Sequence, residues 1–523
     1  MVLSKDAVTK FLARDLRDSS AVKDLSEAAL DAKLEREGIE FTKRPRWAQK
    51  ICVLLGWRYT SYLFLMGMGG GKTFVTLTLF RNYRRIGEVR RMLVLVPNVV
   101  NLGEWVDQVE QHAKDCSIKT LSITGEEARR SILLDQRVEI VVATYAGMGK
   151  LCSSPEQQPG KQRRRWKHDP KKTDAIAAEF DMLVLDESTA IKNEKSLFFR
   201  FVRRMRKTVD FCYGLTGTPF DKDPIDLWSQ FYAIDEGETL GETLGLFREA
   251  FFRKEDGYWG TSYVFRKKMD AQLSERLGNC SIRFTEDECQ DLPESVGGIR
   301  GDGLMLLRAD MPKEQAPYYQ KIATQLSDSQ GDYALVENAY TRMRMVSSGW
   351  LGARDEESDE RVEIVFKKNP KLDAIVWKLR EIGPDEGVII VHWFNTSGKL
   401  IAERLKKEKM PFSWIYGKTT ALQKKTKLER FKRGQGPRIL LASTAISKGV
   451  NLQDAARYML FFESPDSVIE RQQMEARIRR ESEVAGPRYF YDAVCSGTID
   501  EKILRALCEG KKLLEVIVDR GRP

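Results

Sequence analysis

Residues 69–73 read Gly-Gly-Gly-Lys-Thr, shortly after the apolar run Tyr62-Leu63-Phe64-Leu65. A strand, a glycine loop and then Lys-Thr opening a helix is an order suited to holding phosphate. Glycines let backbone N–H groups converge on phosphate oxygens, a lysine supplies a point charge, and a threonine hydroxyl can ligate Mg²⁺. Gly69, Gly70, Gly71, Lys72 and Thr73 are therefore the nucleotide-binding candidates, with Thr73 also a metal ligand. The fuller pattern G-x-x-x-x-G-K-[ST] has glycine where this chain has Met66. Alone, the loop also reads as a flexible turn ahead of a surface helix.

A second constellation decides between those readings. Leu183-Val184-Leu185-Asp186-Glu187 is an apolar strand ending in two acids. Nucleotide hydrolysis needs one carboxylate near Mg²⁺ and another to orient water. Acids at the carboxyl end of a strand lie where open α/β sheets bind ligands. Asp186 is thus the second metal-ligand candidate and Glu187 the water-orienting one.

The elements that must position these residues follow a repeated grammar. Met92-Leu93-Val94-Leu95-Val96, Ile140-Val141-Val142-Ala143 and Met182-Leu183-Val184-Leu185 are short apolar runs separated by longer polar stretches. A second set follows at Val388-Ile389-Ile390-Val391, Ile439-Leu440-Leu441-Ala442 and Tyr458-Met459-Leu460-Phe461-Phe462. Buried parallel strands alternating with helices produce this pattern. The expected organisation is a charged helical segment over 1–40, a doubly wound α/β lobe over 41–230, a mainly helical insertion over 231–365, and a second such lobe with C-terminal helices over 366–523. A basic loop from Lys161 to Lys167, with Trp166 inside it, interrupts the first lobe.

Composition narrows the class. The 523 residues are 42% hydrophobic with a net charge of +10, enough for two or three packed domains and consistent with either simple solubility or a polyanion partner. Eight cysteines without a C-x-x-C pair, and only three histidines, argue against a structural zinc site. No run long enough to span a bilayer and no signal peptide is visible, so a cytoplasmic protein is expected.

Further motifs carry a resemblance. Asp186-Glu187-Ser188-Thr189-Ala190-Ile191-Lys192-Asn193 resembles the D-E-x-x-x-I-K-N signature of Swi/Snf-type ATPases of helicase superfamily two. Leu215-Thr216-Gly217-Thr218-Pro219 and Asp226-Leu227-Trp228 are similar to that family's third motif and the segment after it. Gln49 lies where the family's adenine-reading glutamine does. Pro97 with Trp105, and Thr144 with Tyr145, look like its early DNA-contact motifs, and His392-Trp393-Phe394 like its fourth, with core packing as the rival reading there. Ser443-Thr444 followed by Gly449, Asn451 and Leu452 resembles the fifth motif; Gln473, Arg477 and Arg480 fit the sixth, Q-x-x-x-R-x-x-R. The resemblance covers roughly residues 44–512, with the motifs in the family's order. Three departures are visible: Gly67 replaces an acid of the first motif, Ile446-Ser447-Lys448 replaces the paired glycines of the fifth, and Ala476 stands where related helicases often carry glycine.

The resemblance implies two RecA-like lobes, ATP and Mg²⁺ as cofactors, and double-stranded or branched DNA as partner to a monomer of compact bacterial or bacteriophage type. It implies that Lys72 contacts the β- and γ-phosphates, that Thr73 and Asp186 hold Mg²⁺, that Glu187 positions water, and that Arg477 and Arg480 act as arginine fingers, worth roughly 10³–10⁵ in rate. Gln49 and Gly449 join the nucleotide-binding set. Pro97, Thr144, Tyr145, Lys192, Trp393, Ser443, Thr444 and Asn451 form the DNA-contact set. The implied activity is that of a DNA-stimulated ATPase that translocates on duplex DNA. A strand-separating or branch-migrating helicase and a non-catalytic DNA-binding scaffold are the alternatives. Lys72→Ala or Glu187→Gln is expected to abolish ATP turnover while leaving DNA binding measurable; unchanged turnover in either variant overturns the site assignment.

Overall fold

The computed structural model describes residues 5–14, 16–17, 20–121, 126–156, 165–217, 219, 224–257, 260–289, 292–299, 303–328, 333–354, 361–417, 419–443, 451–480, 482 and 484–509. The chain divides into two compact units, Met1–Gln290 and Asp291–Pro523.

The first unit contains β1 (Ser61–Met66), β2 (Met92–Val96), β3 (Ile118–Thr120), β4 (Ile140–Thr144), the hairpin β5 (Ser153–Glu156) and β6 (Arg165–His168), β7 (Met182–Asp186), β8 (Phe211–Thr216), the hairpin β9 (Phe252–Gly257) and β10 (Gly260–Phe265), and β11 (Ser281–Phe284). Seven of these form one parallel sheet in the order β11-β1-β8-β7-β2-β4-β3. Near-continuous apolar runs are what a sheet covered on both faces requires. Successive residues accordingly feed opposite cores: Leu63, Leu65, Leu93 and Leu95 pack on one side, Tyr62, Phe64, Met92 and Val94 on the other. The helix Trp47–Arg58 lies in the second of these layers and supplies Ile51, Val53 and Leu54 to it.

The second unit repeats the architecture. Its strands are β12 (Ser295–Gly297), β13 (Met305–Ala309), the hairpin β14 (Trp350–Arg354) and β15 (Arg361–Val365), β16 (Val388–His392), β17 (Phe412–Ile415), β18 (Ile439–Ser443), β19 (Tyr458–Phe461) and β20 (Arg488–Cys495). The parallel sheet runs β12-β20-β19-β16-β18-β17, and β13 pairs with the same edge of β20 as β12. Ile389 and Val391 face one core, Val388 and Ile390 the other.

The stretch 231–365, expected as a mainly helical insertion, is shared between the units. It carries helices, including Leu244–Phe251, Asp270–Leu277 and Ala316–Asp328, but β11 closes one edge of the first sheet and β12 and β13 extend the second. These strands are only three to five residues long. Ser281-Ile282-Arg283-Phe284 lacks the long apolar run that marks the other strands because β11 is an edge strand with Arg283 exposed. All eight cysteines are free, and only Cys508 is exposed. Among the described residues, no helix is long and apolar enough to cross a membrane.

One buried ion network fixes the helix Val468–Glu475, which leads into Arg477 and Arg480. Arg471 is fully buried; its two Nη atoms donate to Asp492 at 2.5 and 2.8 Å, and its Nε donates to Glu475 Oε1 at 2.7 Å. The guanidinium lies 3.4 Å from the centroid of the Phe461 ring. Breaking a buried pair strands its partner's charge in a dry interior, which costs far more than the intact pair contributes. Arg471→Ala is therefore expected to cost about 3–5 kcal/mol, read as a lowered urea midpoint for the transition of the second unit. A loss below about 1 kcal/mol would show the network to be dispensable.

Candidate functional site

Strand order brings the chemistry-bearing residues of the first unit together. β8 lies between β1 and β7, so the loop after β1, Thr216 at the end of β8 and Asp186 at the end of β7 are neighbours along one rim. With strands about 4.8 Å apart, β1 and β7 are separated by roughly 10 Å, room for phosphates and a cation between them.

The loop after β1 leads into the helix Lys72–Arg85. Gly71 is its N-cap at φ 84° and Gly69 has φ 74°, both in the left-handed region that side chains avoid. At Gly71 a Cβ would also stand 2.2 Å from Gln49 Nε2. The Gln49 amide is buried and committed at both ends: Nε2 donates to the Gly70 carbonyl at 3.0 Å, and Oε1 accepts from the Arg46 N–H at 3.0 Å. In this conformation Gln49, expected to read adenine, braces the glycine loop instead. Lys72 Nζ donates to the carbonyls of Met66 and Gly67 at 3.0 and 3.3 Å. The ammonium is thereby folded over its own loop, and a phosphate, a charged acceptor, would compete well for it. Thr73 is half-buried beside Lys72 in the first turn, where helical N–H groups have no intrahelical partner.

Sequence reasoning missed the other wall of this loop. The short helix Glu286–Cys289 follows β11 and lies against the glycine loop. The N–H of Gly67 donates to the Phe284 carbonyl at 2.9 Å, and the N–H of Met68 reaches Glu286 Oε1 at 3.4 Å. A Cβ on Gly67 would lie 2.6 Å from the Glu286 backbone nitrogen, and one on Gly70 would lie 2.8 Å from Cys289 Sγ. Gly67, noted above as a departure, is thus the residue that admits this segment, and a carboxylate returns to the loop from Glu286. Nothing local in sequence signals it, since Glu286 is separated from Met68 by 218 positions.

Across the rim, Asp186 and Glu187 occupy different environments. Trp105, only 2% exposed, donates Nε1–H to Asp186 Oδ2 at 3.0 Å. Burial, and then the neighbouring Glu187 charge, push the Asp186 carboxyl up to about 7, against the lowering effects of the Trp105 hydrogen bond and of Lys72. Glu187 sits at φ 50°, a left-handed conformation costly for a side-chain-bearing residue and typical of functional turns. Thr216 Oγ1 donates to Glu187 Oε2 at 3.3 Å. A half-buried carboxylate that resists ionisation, with a lysine and a threonine hydroxyl nearby, offers the hard oxygens that Mg²⁺ with a polyphosphate takes, and a divalent cation would reverse the unfavourable ionisation. The residues present therefore fit magnesium and a nucleotide.

Two residues expected to touch DNA are placed differently. Tyr145 is buried, and its hydroxyl donates to the Asp186 carbonyl at 3.1 Å; Trp105 is buried on the side chain of the same aspartate. Both buttress the metal-ligand candidate. Thr144 caps the helix Tyr145–Leu151, its Oγ1 accepting from the Gly147 N–H at 3.0 Å. Pro97 is half-exposed at the end of β2, and Lys192 Nζ lies 3.2 Å from Asp226 Oδ2.

In the second unit Arg480 donates through Nη1 to Asn451 Oδ1 and through Nε to the Ala476 carbonyl at 3.0 Å. Arg477 is buried, and its carbonyl accepts from the Leu452 N–H at 2.9 Å. The structure thus brings Arg477, Arg480 and Asn451 together. Ser443 is half-exposed at the end of β18, while Thr444 and Gly449 lie outside the described residues. Trp393 is half-buried: its N–H donates to Glu463 Oε2 at 2.8 Å and the Arg344 guanidinium lies 5.1 Å from its ring centroid.

Residues 57–351 match the family model described as SNF2-related domain, and residues 367–482 the one described as helicase conserved C-terminal domain. The chain is 23% identical over 470 residues to protein p41 of Acyrthosiphon pisum secondary endosymbiont phage 1, covering 87% of this chain and 93% of that one. It is 20% identical over 474 residues to the ATP-dependent helicase YqhH of Bacillus subtilis (strain 168), covering 86% and 75%. It is 32% identical over 380 residues to a DNA repair and recombination protein RAD54-like of Drosophila erecta, covering 66% and 46%. Among solved structures, the Sulfolobus solfataricus SWI2/SNF2 ATPase core in complex with dsDNA is similar at 18% identity and a TM-score of 0.39, covering 92% and 94%.

The Asp186 environment gives a pH dependence of known sign. In the metal-free protein Asp186 keeps its proton up to about 7 when folded, against 3.8 when unfolded. Between those values the unfolded state binds fewer protons, so stability falls as pH rises through the window. Asp186→Asn, which cannot ionise, is expected to raise Tm over wild type at pH 8 in the absence of Mg²⁺ and nucleotide, with the gap closing or reversing at pH 4. An equal gap at both pH values contradicts a raised carboxyl.

Proposed function

The chain belongs to the SNF2-related family of helicase-like ATPases, whose domain model spans more than half of it, and from that premise we propose that it is a DNA-stimulated, ATP-driven motor that translocates on double-stranded or branched DNA. The observation that carries the proposal is the single rim that Lys72, Thr73, Asp186 and Glu187 share, with Trp105 hydrogen-bonded to the Asp186 side chain. Its support for DNA is the net charge of +10 and the family's relatives, which include proteins named for DNA repair and recombination.

Magnesium, when bound by Thr73 and Asp186, supplies neutralisation of phosphate charge. The remaining roles belong to the chain. Lys72 leaves the carbonyls of Met66 and Gly67 for phosphate oxygens, and the backbone N–H groups at the start of its helix take the same charge. Glu187, held by Thr216, orients the water whose oxygen bonds to the terminal phosphorus as the bond to the leaving oxygen breaks. Arg477 and Arg480, the arginine-finger candidates, would meet the charge that spreads over the transferred group. Contacts to a phosphate backbone carry no sequence information directly, so motion without sequence specificity follows. Phage protein p41, matched along nearly its full length, suits a motor working in a bacterial or infected-cell cytoplasm.

ATP turnover measured at fixed salt is expected to rise with duplex or branched DNA and not with RNA; turnover indifferent to DNA contradicts the reading. Arg477→Ala and Arg480→Ala should each lower kcat by roughly 10³ or more while ATP affinity changes little. Displacement of a triplex strand without unwinding of a blunt duplex is the expected motor signature, and unwinding of the duplex would favour a strand-separating helicase.

A further inference from the structure

Residues 157–164, the tip of the basic loop noted in the sequence, lie outside the described residues. Beside the nucleotide rim, one buried polar group has no part in the chemistry. Gln230 belongs to the helix Leu227–Asp235 and is fully buried, on an element whose Leu227, Phe231 and Ile234 pack into the core beside β1 and β8. An amide in such a place must be bonded, so its partners are informative. Its Oε1 accepts from Ser188 Oγ at 2.7 Å, and its Nε2 donates to the carbonyls of Pro219 and Asp226 at 2.5 and 2.9 Å.

Each partner leads to a different part of the site. Ser188 follows Glu187, the water-orienting candidate with its left-handed backbone, and opens the turn Ser188–Ile191 that is capped by Lys192. Pro219 lies just beyond β8, where Thr216 donates to the Glu187 carboxylate. Asp226 offers its carbonyl to Gln230 and its side chain, at 3.2 Å, to Lys192 of the DNA-contact set. The Lys192 side chain is 49% exposed, whereas Gln230 and Ser188 are buried. One side chain therefore joins the turn that carries Glu187 to the residue that holds a solvent-facing lysine. The junction is stiff, because an amide closed off from water cannot replace a lost bond by hydration.

We propose that Gln230 is a positioning residue through which DNA contact regulates hydrolysis, carrying a displacement of Lys192, by way of Asp226, to the turn that sets Glu187. A DNA phosphate competes with the Asp226 carboxylate for the Lys192 ammonium. Loss of that pair changes the hold on Asp226, and the Gln230 amide passes the change to Ser188 and so to Glu187. Water orientation is the step served, so the effect falls on kcat rather than on ATP binding. This inference rests on the proposed DNA-dependent activity and assigns the regulation of its site.

The test is ATP turnover of the full chain at saturating ATP, with and without saturating duplex DNA, read as the ratio of the two rates. Gln230→Met keeps the length of the side chain and removes its three bonds, while Ser188→Ala removes only the bond to the turn. The ratio should fall toward one in Gln230→Met. In Ser188→Ala it should fall by roughly 3- to 10-fold, the effect of about one buried hydrogen bond. The KM for ATP, and the DNA affinity read by fluorescence anisotropy, should stay within about twofold of wild type in both variants. Equal slowing of both rates with the ratio kept would mark a purely structural support and overturn the proposal, as would a wild-type ratio in either folded variant. If Gln230→Met does not fold, Ser188→Ala alone decides. Wild-type turnover that ignores DNA defeats the motor reading itself, whereas each outcome against this inference leaves wild-type stimulation intact.

Discussion

A half-buried carboxylate packed against a buried tryptophan at the end of a strand is the constraint around which the first unit is arranged. Asp186 terminates β7 inside a parallel sheet, and both Trp105 and Tyr145 are spent on it, one on the side chain and one on the backbone. Such burial is unfavourable for the isolated protein because ionisation is opposed by desolvation and by Glu187. It becomes favourable once a cation and a polyphosphate enter, since attraction between charges is strongest where water is absent. A site of this kind would favour a metal-bound anion over a bare one.

The facing wall obeys the same logic with opposite sign. A glycine loop that is to take phosphate would leave its N–H groups and Lys72 available, yet it could not be loose, or binding would have to order it first. Gln49 holds it from the helix Trp47–Arg58, and Glu286 with Cys289 holds it from the far edge of the sheet. Close approach from both sides explains why glycine stands at 67, 70 and 71: each position lacks room for even one more carbon.

Much of this was legible in the sequence, for identifiable reasons. Lys72, Thr73, Asp186 and Glu187 could be named because phosphate and magnesium chemistry demands particular residues at strand ends, and long apolar runs mark the strands. The rest depended on contacts remote along the chain. Trp105 meets Asp186 across 81 positions and Glu286 meets Met68 across 218, and neither pairing leaves a local pattern. The burial of Tyr145 on Asp186 was not legible because its motif position indicates proximity to the site without indicating which way the ring turns. The division of 231–365 escaped notice because edge strands of three to five residues, one with an exposed arginine, do not show the buried-strand signature.

A resting Asp186 carboxyl that is still partly protonated at neutral pH, and that a metal-nucleotide complex would ionise, is the central feature to test. Calorimetric titration of Mg·ADP into the protein, with magnesium in excess and in buffers of different ionisation enthalpy, counts the protons released on binding. With the carboxyl at about 7, roughly half a proton should leave per site at pH 7 and almost none at pH 9. Binding heats that do not depend on the buffer at pH 7 would contradict it.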